Sequence, residues 1–377
     1  MGDRRTDAAL TDRRRSWPLV VRRARAEDGD AVLRFASRTW DGWDYVPQAW
    51  PRWLEERDGV MLVGTPGSDG DSVPLDAEGV PLEPDVPVAL VRVALPARGE
   101  AWLEAIRVDP RVRGMDVATD LQVAELHWAA AQGAWIVRYA TSQRNLASHR
   151  LGARGGFELL TTLSSHWWSA TGDPDADRER ASGFLPDVQA AATARREKLL
   201  EAMAAEGLVA SSADAARLWA RLAADPSFAA AERLYEPRPW ALEELTEAKF
   251  DVHLERGEVL LLDDGQRWSL AILLRRQQPA EDSTMRFAFV AGDGGAALEL
   301  VETTRGLAGE TVRIRVAAGA PLIAEHEDQF RGAGYAFPEW ALDVLWRAID
   351  ESHPVPPVDP DALVLADRPA PILVPRD

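Results

Sequence analysis

VDPRVRGMDVATDL, residues Val108–Leu121, decides how this chain is read. The apolar run AWLEAIRV (101–108) leads straight into it, and behind it Val117, Leu121, Ala124, Trp128 and Ala131 recur at helical spacing. The expected order is strand, short loop, helix. The first turn of a helix exposes N–H groups that have no intrahelical acceptor, and its dipole favours an anion there. Small residues such as Gly114 and Ala118 let that backbone close on a phosphate. Asp116 stands where glycine would serve better. At ~4 Å from one phosphate charge its carboxylate costs about 1 kcal/mol in water and about 4 kcal/mol at an effective dielectric near 20. Turned to solvent it costs little; turned inward it caps the helix that starts at Val117. Both orientations are open at this stage.

Outward from this stretch the pattern is regular. LVVRRA (19–24) reads as a strand and AEDGDAVLRFASRTW as the helix after it, QAWPRWLEER as a second helix, and GVMLVG (59–64) and VPVALVRVAL (86–95) as further strands. TPGSDGDSVPLDAEGVPLEPD between those two strands is rich in Pro, Gly and Asp and reads as an exposed loop. Beyond the quoted helix come a strand (AWIVRYAT), a helix (NLASHRLGARGGF) and a strand (LLTTLSSHWWSA). The order βααβββαβαβ predicts an α/β domain on one mixed sheet with helices on its faces.

The chain divides into a leader over 1–18, a first domain over 19–170, a helical Ala/Arg/Glu connector over 171–233, a second domain over 234–350 and a Pro-rich tail over 351–377. The second domain repeats the element order more weakly, with WALEELTEAKFDVHLERG, GAALELVETTRGLA and LIAEHEDQFRGAGY as helices and EVLLLDD, RWSLAILLRR, MRFAFVAG, TVRIRVAA and ALDVLWRAI as strands. The tail is expected to lie as an extended strap over one domain.

Composition narrows the function. The 377 residues hold no cysteine, which excludes disulfides, thiolate metal sites and a cysteine nucleophile. The six histidines fall at no metal-ligand spacing, so no metal site is predicted. A net charge of -18 argues against a nucleic-acid partner. No apolar run approaches the ~20 residues of a membrane span, and the charged leader lacks the core of a signal peptide, so a cytoplasmic protein is expected.

VDPRVRGMDVA resembles the acetyl-CoA loop of the GCN5-related N-acetyltransferase (GNAT) superfamily, with Arg113, Gly114, Met115, Asp116, Val117 and Ala118 on the loop's core. NLASHRLGARGGF is similar to that superfamily's later helix, and the two motifs cover about residues 19–170. WDGWDYVPQAWPRWL (40–54) resembles, more narrowly, the histidine N-acetyltransferase-like subgroup. The second half is similar to the same fold but has GDGGAAL where the loop belongs, so the resemblance implies tandem GNAT-like domains of which the second is degenerate. It also implies an acyltransferase that uses acetyl-CoA to acetylate a primary amine of an amino acid or other small metabolite. Amides from Arg113 to Ala118 would wrap the phosphates, with Ile106, Val108 and Asn145 along the cofactor. The family's tyrosine acid matches Gly152 here, so either the CoA thiolate leaves unassisted or Tyr139 or His149 takes the tyrosine's place.

Glu104 is the candidate base. Alternation along the strand sets Trp102, Glu104, Ile106 and Val108 on one face, an acid among apolar side chains, whereas a pair with Arg92 is the plainer role. Trp50 and Trp53 read as core, while Trp40, Trp43, Asp44 and Tyr45 offer aromatic faces and one carboxylate to a cationic amine. The second domain would then be a wall or a homodimer surface. The competing reading is a non-catalytic pseudo-acetyltransferase, a binding module whose loop is filled by Asp116. A peptide-amine acetyltransferase is a third.

Overall fold

The computed structural model describes residues 15–39, 44–68, 73–169, 186–238, 240–275, 284–308, 311–317, 320–337 and 341–367. It is a mixed α/β protein, and its internal contacts define two units. Unit 1 comprises Met1–Tyr139, Ala147–Glu158 and Trp346–Asp377; unit 2 comprises Ala140–Leu146 and Leu159–Leu345.

The expected elements up to Trp168 form in the expected order: β1 (Leu19–Arg23), α1 (Gly29–Phe35), α2 (Val46–Glu55), β2 (Gly59–Pro66), β3 (Ala89–Ala97), β4 (Glu100–Val108), α3 (Val117–Ala131), β5 (Ile136–Ser142), α4 (Leu146–Arg154) and β6 (Glu158–Trp168), all in unit 1 except Ala140–Leu146 and the part of β6 after Glu158. β1, β2, β3 and β4 pair antiparallel in sequence order, and β5 joins β4 parallel. Every residue of β2 is buried, as a central strand with both faces covered requires. Val32, Val46, Trp50 and Trp53 of α1 and α2 pack on Met61, Val63 and Leu90, so the two tryptophans are core. The predicted apolar stripe of α3 is buried at Val117, Leu121, Ala124 and Trp128, and the helix lies against β1 to β4.

β6 continues from Leu159 in unit 2, followed by α5 (Pro186–Ala205), α6 (Ala215–Ala223), α7 (Pro226–Ala230), β7 (Leu234–Arg238), β8 (Ala241–Glu244), α8 (Glu247–Glu255), β9 (Val259–Asp263), β10 (Trp268–Ile272), β11 (Thr284–Arg286), β12 (Phe289–Gly292), α9 (Gly294–Ala308), β13 (Thr311–Ala317), α10 (Pro321–Ala324), α11 (Glu327–Gly332) and β14 (Leu342–Ala348). Three segments differ from the sequence reading. Residues 241–244 are a strand paired with β7, and the helix starts only after Thr246, whose hydroxyl accepts the Lys249 N–H at 3.3 Å. MRFAFVAG splits into β11 and β12, which pair with different strands. LIAEHEDQFRGAGY breaks at Glu325 and His326, where chain polarity gives no stop signal. The core of unit 2 gathers Leu200, Met203, Leu273, Phe287, Leu300, Ile314 and Phe330.

Residues after Trp346 return to unit 1 as a strap. The His127 ring meets the Pro356 carbonyl at 2.8 Å, and β15 (Leu363–Leu365) pairs parallel with β1. The tail is thus extended up to Asp367, and the rest of it lies outside the described residues. Among the described residues no helix is long and apolar enough to cross a membrane.

Candidate functional site

β4 carries the site because it is irregular. Arg92 of β3 stands opposite Glu104, but Leu90 stands opposite Arg107, so β4 holds one extra residue between the two pairs. Ala105 takes it up at φ 62°. Such a bulge interrupts alternation. The Arg107 guanidinium stands 5.3 Å from the Tyr45 ring centroid, and the bulge falls within the expected face of Trp102, Glu104, Ile106 and Val108. The parallel ladder with β5 covers only Glu100–Trp102 against Ile136–Arg138. Beyond it the half-buried Ile106 and Val108 continue toward the loop, Val108 still paired with Ala89 of β3.

The loop is rigid at its base. Asp109 accepts the Arg111 N–H at 2.9 Å and pairs with its guanidinium at 2.7 Å, while Val112, Met115 and Val117 are buried. Arg113 and Gly114 are exposed, Gly114 at φ 76°. Asp116 sits at φ 57°, ψ 11°, a left-handed conformation that glycine adopts freely and Asp or Asn tolerates. Its side chain makes no cap hydrogen bond. The carboxylate is instead 3.8 Å from Arg154 at the end of α4 and is 35% exposed. Among the described residues the main-chain N–H groups of Gly114, Met115, Asp116, Val117, Ala118 and Thr119 have no acceptor; the first α3 amide that has one is Asp120, bonded to the Asp116 carbonyl at 3.1 Å. The filled-loop arrangement is absent from this helix.

It is present in unit 2. There Asp293, just ahead of α9, accepts the Ala296 N–H at 2.9 Å, and a methyl on Gly294 would stand 2.3 Å from His326 Nδ1 and 2.4 Å from the Leu322 carbonyl. GDGGAAL thus caps its own helix and is covered by α10 and His326.

Around Glu104 one guanidinium meets three carboxylates. Arg92 is 1% exposed, pairs with Glu104 and Glu56, lies 3.7 Å from Asp58 and stacks 5.2 Å from the Trp53 ring. Burial works against its charge, but Glu104, Glu56 and Asp58 outweigh that and raise its pKa. The plainer expectation, a Glu104–Arg92 pair, is therefore met. Asp44 is buried and accepts from Arg107 at 2.7 and 3.1 Å, so its carboxylate serves Arg107 rather than a substrate amine, contrary to expectation. Burial first, and Glu104 and Asp44 next, push the Tyr45 hydroxyl up to about 12 against the pull of Arg107. Trp40 and Trp43 lie outside the described residues.

Tyr139 occupies a separate environment. Its O–H donates to the Ser148 carbonyl of α4 at 3.1 Å, and its ring packs edge-on against Phe157 at 5.1 Å. Burial, then the nearby Glu125, push it up to about 12. Glu125 of α3, which no sequence motif marks, is 2% exposed with Oε1 lacking a partner among the described residues, and burial holds its carboxyl well above the usual range. His149 is half-buried on α4. The C-terminal end of α4 fits tightly on α3: a methyl on Gly155 would stand 2.2 Å from Gln122 Oε1. Asn145, ahead of α4, donates to Thr141 Oγ1 at 3.0 Å. Glu104 is thus joined to Arg92, and Arg113 to Ala118 form one loop, while Tyr139 keeps company with Glu125 and Ser148. Among the described residues no cluster of three His, Asp or Glu side chains could hold a metal.

No protein-family model matches this sequence, and no curated protein does. Among solved structures the chain is similar to a GCN5-related N-acetyltransferase from Sphaerobacter thermophilus, with 15% identity, TM-score 0.46, and coverage of 91% of this chain and 98% of that one. It is similar to a second from Kribbella flavida, with 15% identity, TM-score 0.40, and coverage of 90% and 73%. A Bacillus subtilis acetyltransferase in complex with CoA is similar to 38% of this chain and 79% of its own, with 14% identity and TM-score 0.28.

Proposed function

We propose that unit 1 is an acetyl-CoA-dependent N-acetyltransferase acting on a primary amine of a small metabolite or amino acid. The observation that carries this reading is the run of unpartnered N–H groups from Gly114 to Thr119, with the Asp116 carboxylate turned away to Arg154. That run suits a pyrophosphate. The β4 backbone at Ile106 and Val108, past the bulge, suits the thioester arm and a carbonyl oxygen that becomes negative as the amine attacks.

In this reading the free amine forms the new N–C bond at the thioester carbonyl carbon, and the C–S bond breaks. The amine's surplus proton passes to Glu104, directly or through one water, and the CoA thiolate leaves unassisted and takes its proton from solvent, the Tyr139 hydroxyl being committed to the Ser148 carbonyl. Arg92 does not hold Glu104 alone, because Glu56 and Asp58 share the guanidinium. A filled, non-catalytic loop is disfavoured by the missing cap at Asp116.

Calorimetric titration of acetyl-CoA into wild type and Asp116→Gly tests the proposal. Micromolar binding by the wild type, changed less than about tenfold by the substitution, is expected for a screened and exposed charge. Binding that appears only in Asp116→Gly would mean that Asp116 blocks the loop, and the binding-module reading would replace this one.

A further inference from the structure

Arg15 precedes β1, yet its side chain is 4% exposed. Its Nη1 donates to the Met115 carbonyl at 2.9 Å, and its Nη2 contacts both Asp120 and the Ala362 carbonyl. We propose that Arg15 is the positioning residue of the 113–119 loop and couples it to the strap over residues 353–367. This rests on the loop being the cofactor site.

Three physical consequences meet at this one guanidinium. A trans peptide unit points its carbonyl and its N–H in opposite directions. Holding the Met115 carbonyl on Arg15 therefore aims the Asp116 N–H the other way, into the run of unpartnered amides. Asp120 lies in the first turn of α3, where its charge would oppose an anion; Arg15 neutralises it at the helix end where that matters most. The third acceptor, Ala362, is fixed independently, because its carbonyl also takes the Leu19 N–H at 2.8 Å and β15 begins at the next residue. The strap itself is tied down by Arg347, which donates to the Gly155 carbonyl at 2.5 Å and the Pro354 carbonyl at 2.9 Å. The loop's shape is thus held from outside the loop.

The test compares wild type, Arg15→Met and Arg15→Lys by hydrogen exchange over residues 115–126, which include the bonded Asp120 amide, by acetyl-CoA titration, and by circular-dichroism melting. Arg15→Met is expected to speed exchange in this segment by about tenfold and weaken acetyl-CoA by about tenfold, with exchange in α9 unchanged. Arg15→Lys keeps the charge but cannot span three acceptors, and should fall between the two. Unaltered exchange and affinity in both variants would overturn the proposal. If Arg15→Met does not fold, Arg15→Lys decides on the same two readouts. Should the wild type fail to bind acetyl-CoA, the functional reading falls, whereas faster exchange in the variants still supports the brace.

Discussion

Glu104 stands opposite Arg92 across two antiparallel strands, and after the one inserted residue, Ala105, Arg107 lies over the Tyr45 ring. If Glu104 takes the amine proton, Glu104→Gln lowers kcat by about a hundredfold or more while leaving the acetyl-CoA Kd within about twofold. Steady-state kinetics beside calorimetry separates the two, and an undiminished kcat would remove Glu104 from the chemistry. The substitution should not unfold the site, because Arg92 retains Glu56 and Asp58. Glu125 makes a different prediction. Its folded pKa is raised by burial above an unfolded value of about 4.3, so its contribution to stability is complete below that pH and is lost as pH rises through the folded value. Glu125→Gln should flatten this decline in melting temperature above pH 4, and a variant whose pH profile parallels the wild type would show that Glu125 is not the cause. Neither the bulge nor the buried acid was legible in the sequence. A bulge leaves no periodicity of its own, and Glu125 sits among residues of good helix propensity, where an acid ordinarily faces water.

The elements themselves were largely legible, because apolar spacing and turn residues point to the same assignments throughout unit 1. Gly99 shows the physical content of one such turn. It joins β3 to β4 at φ 80°, and a methyl there would meet the Trp135 ring at 2.1 Å. Gly99→Ala should therefore cost about 1–3 kcal/mol, read as a lowered melting temperature; an unchanged one would mean that the hairpin relaxes freely. The errors cluster in unit 2, where elements are short. β8, β11 and β12 have 3–4 residues each, too few to show a period, and are strands only because a neighbour supplies the hydrogen bonds. The loop before α3 is legible in the sequence, but the direction of Asp116 is not, since it depends on a left-handed backbone and on Arg154, 38 residues further along.

At the scale of the whole molecule, the two fifteen-residue helices α3 and α9 begin in opposite ways. One leaves its first amides unpartnered; the other gives the Ala296 amide to the Asp293 carboxylate and lies under His326. One acetyl-CoA per chain is therefore expected in a saturating titration, and a stoichiometry of two would show that α9 opens. The strap adds a consequence for how the protein is made. β1 and β15 are neighbours in space, yet Arg23 and Asp367, which hydrogen-bond at 2.7 Å, are 344 positions apart in sequence. On a ribosome the first strand emerges long before its partner, so the β1 edge stays unprotected until β15 has been made. Closing so long a loop comes late, and contacts of such high order slow the final step. Nascent chains arrested before residue 363 should therefore resist proteolysis over β2 to β4 while β1 is still cut, and protection of β1 would arrive only with the last strand.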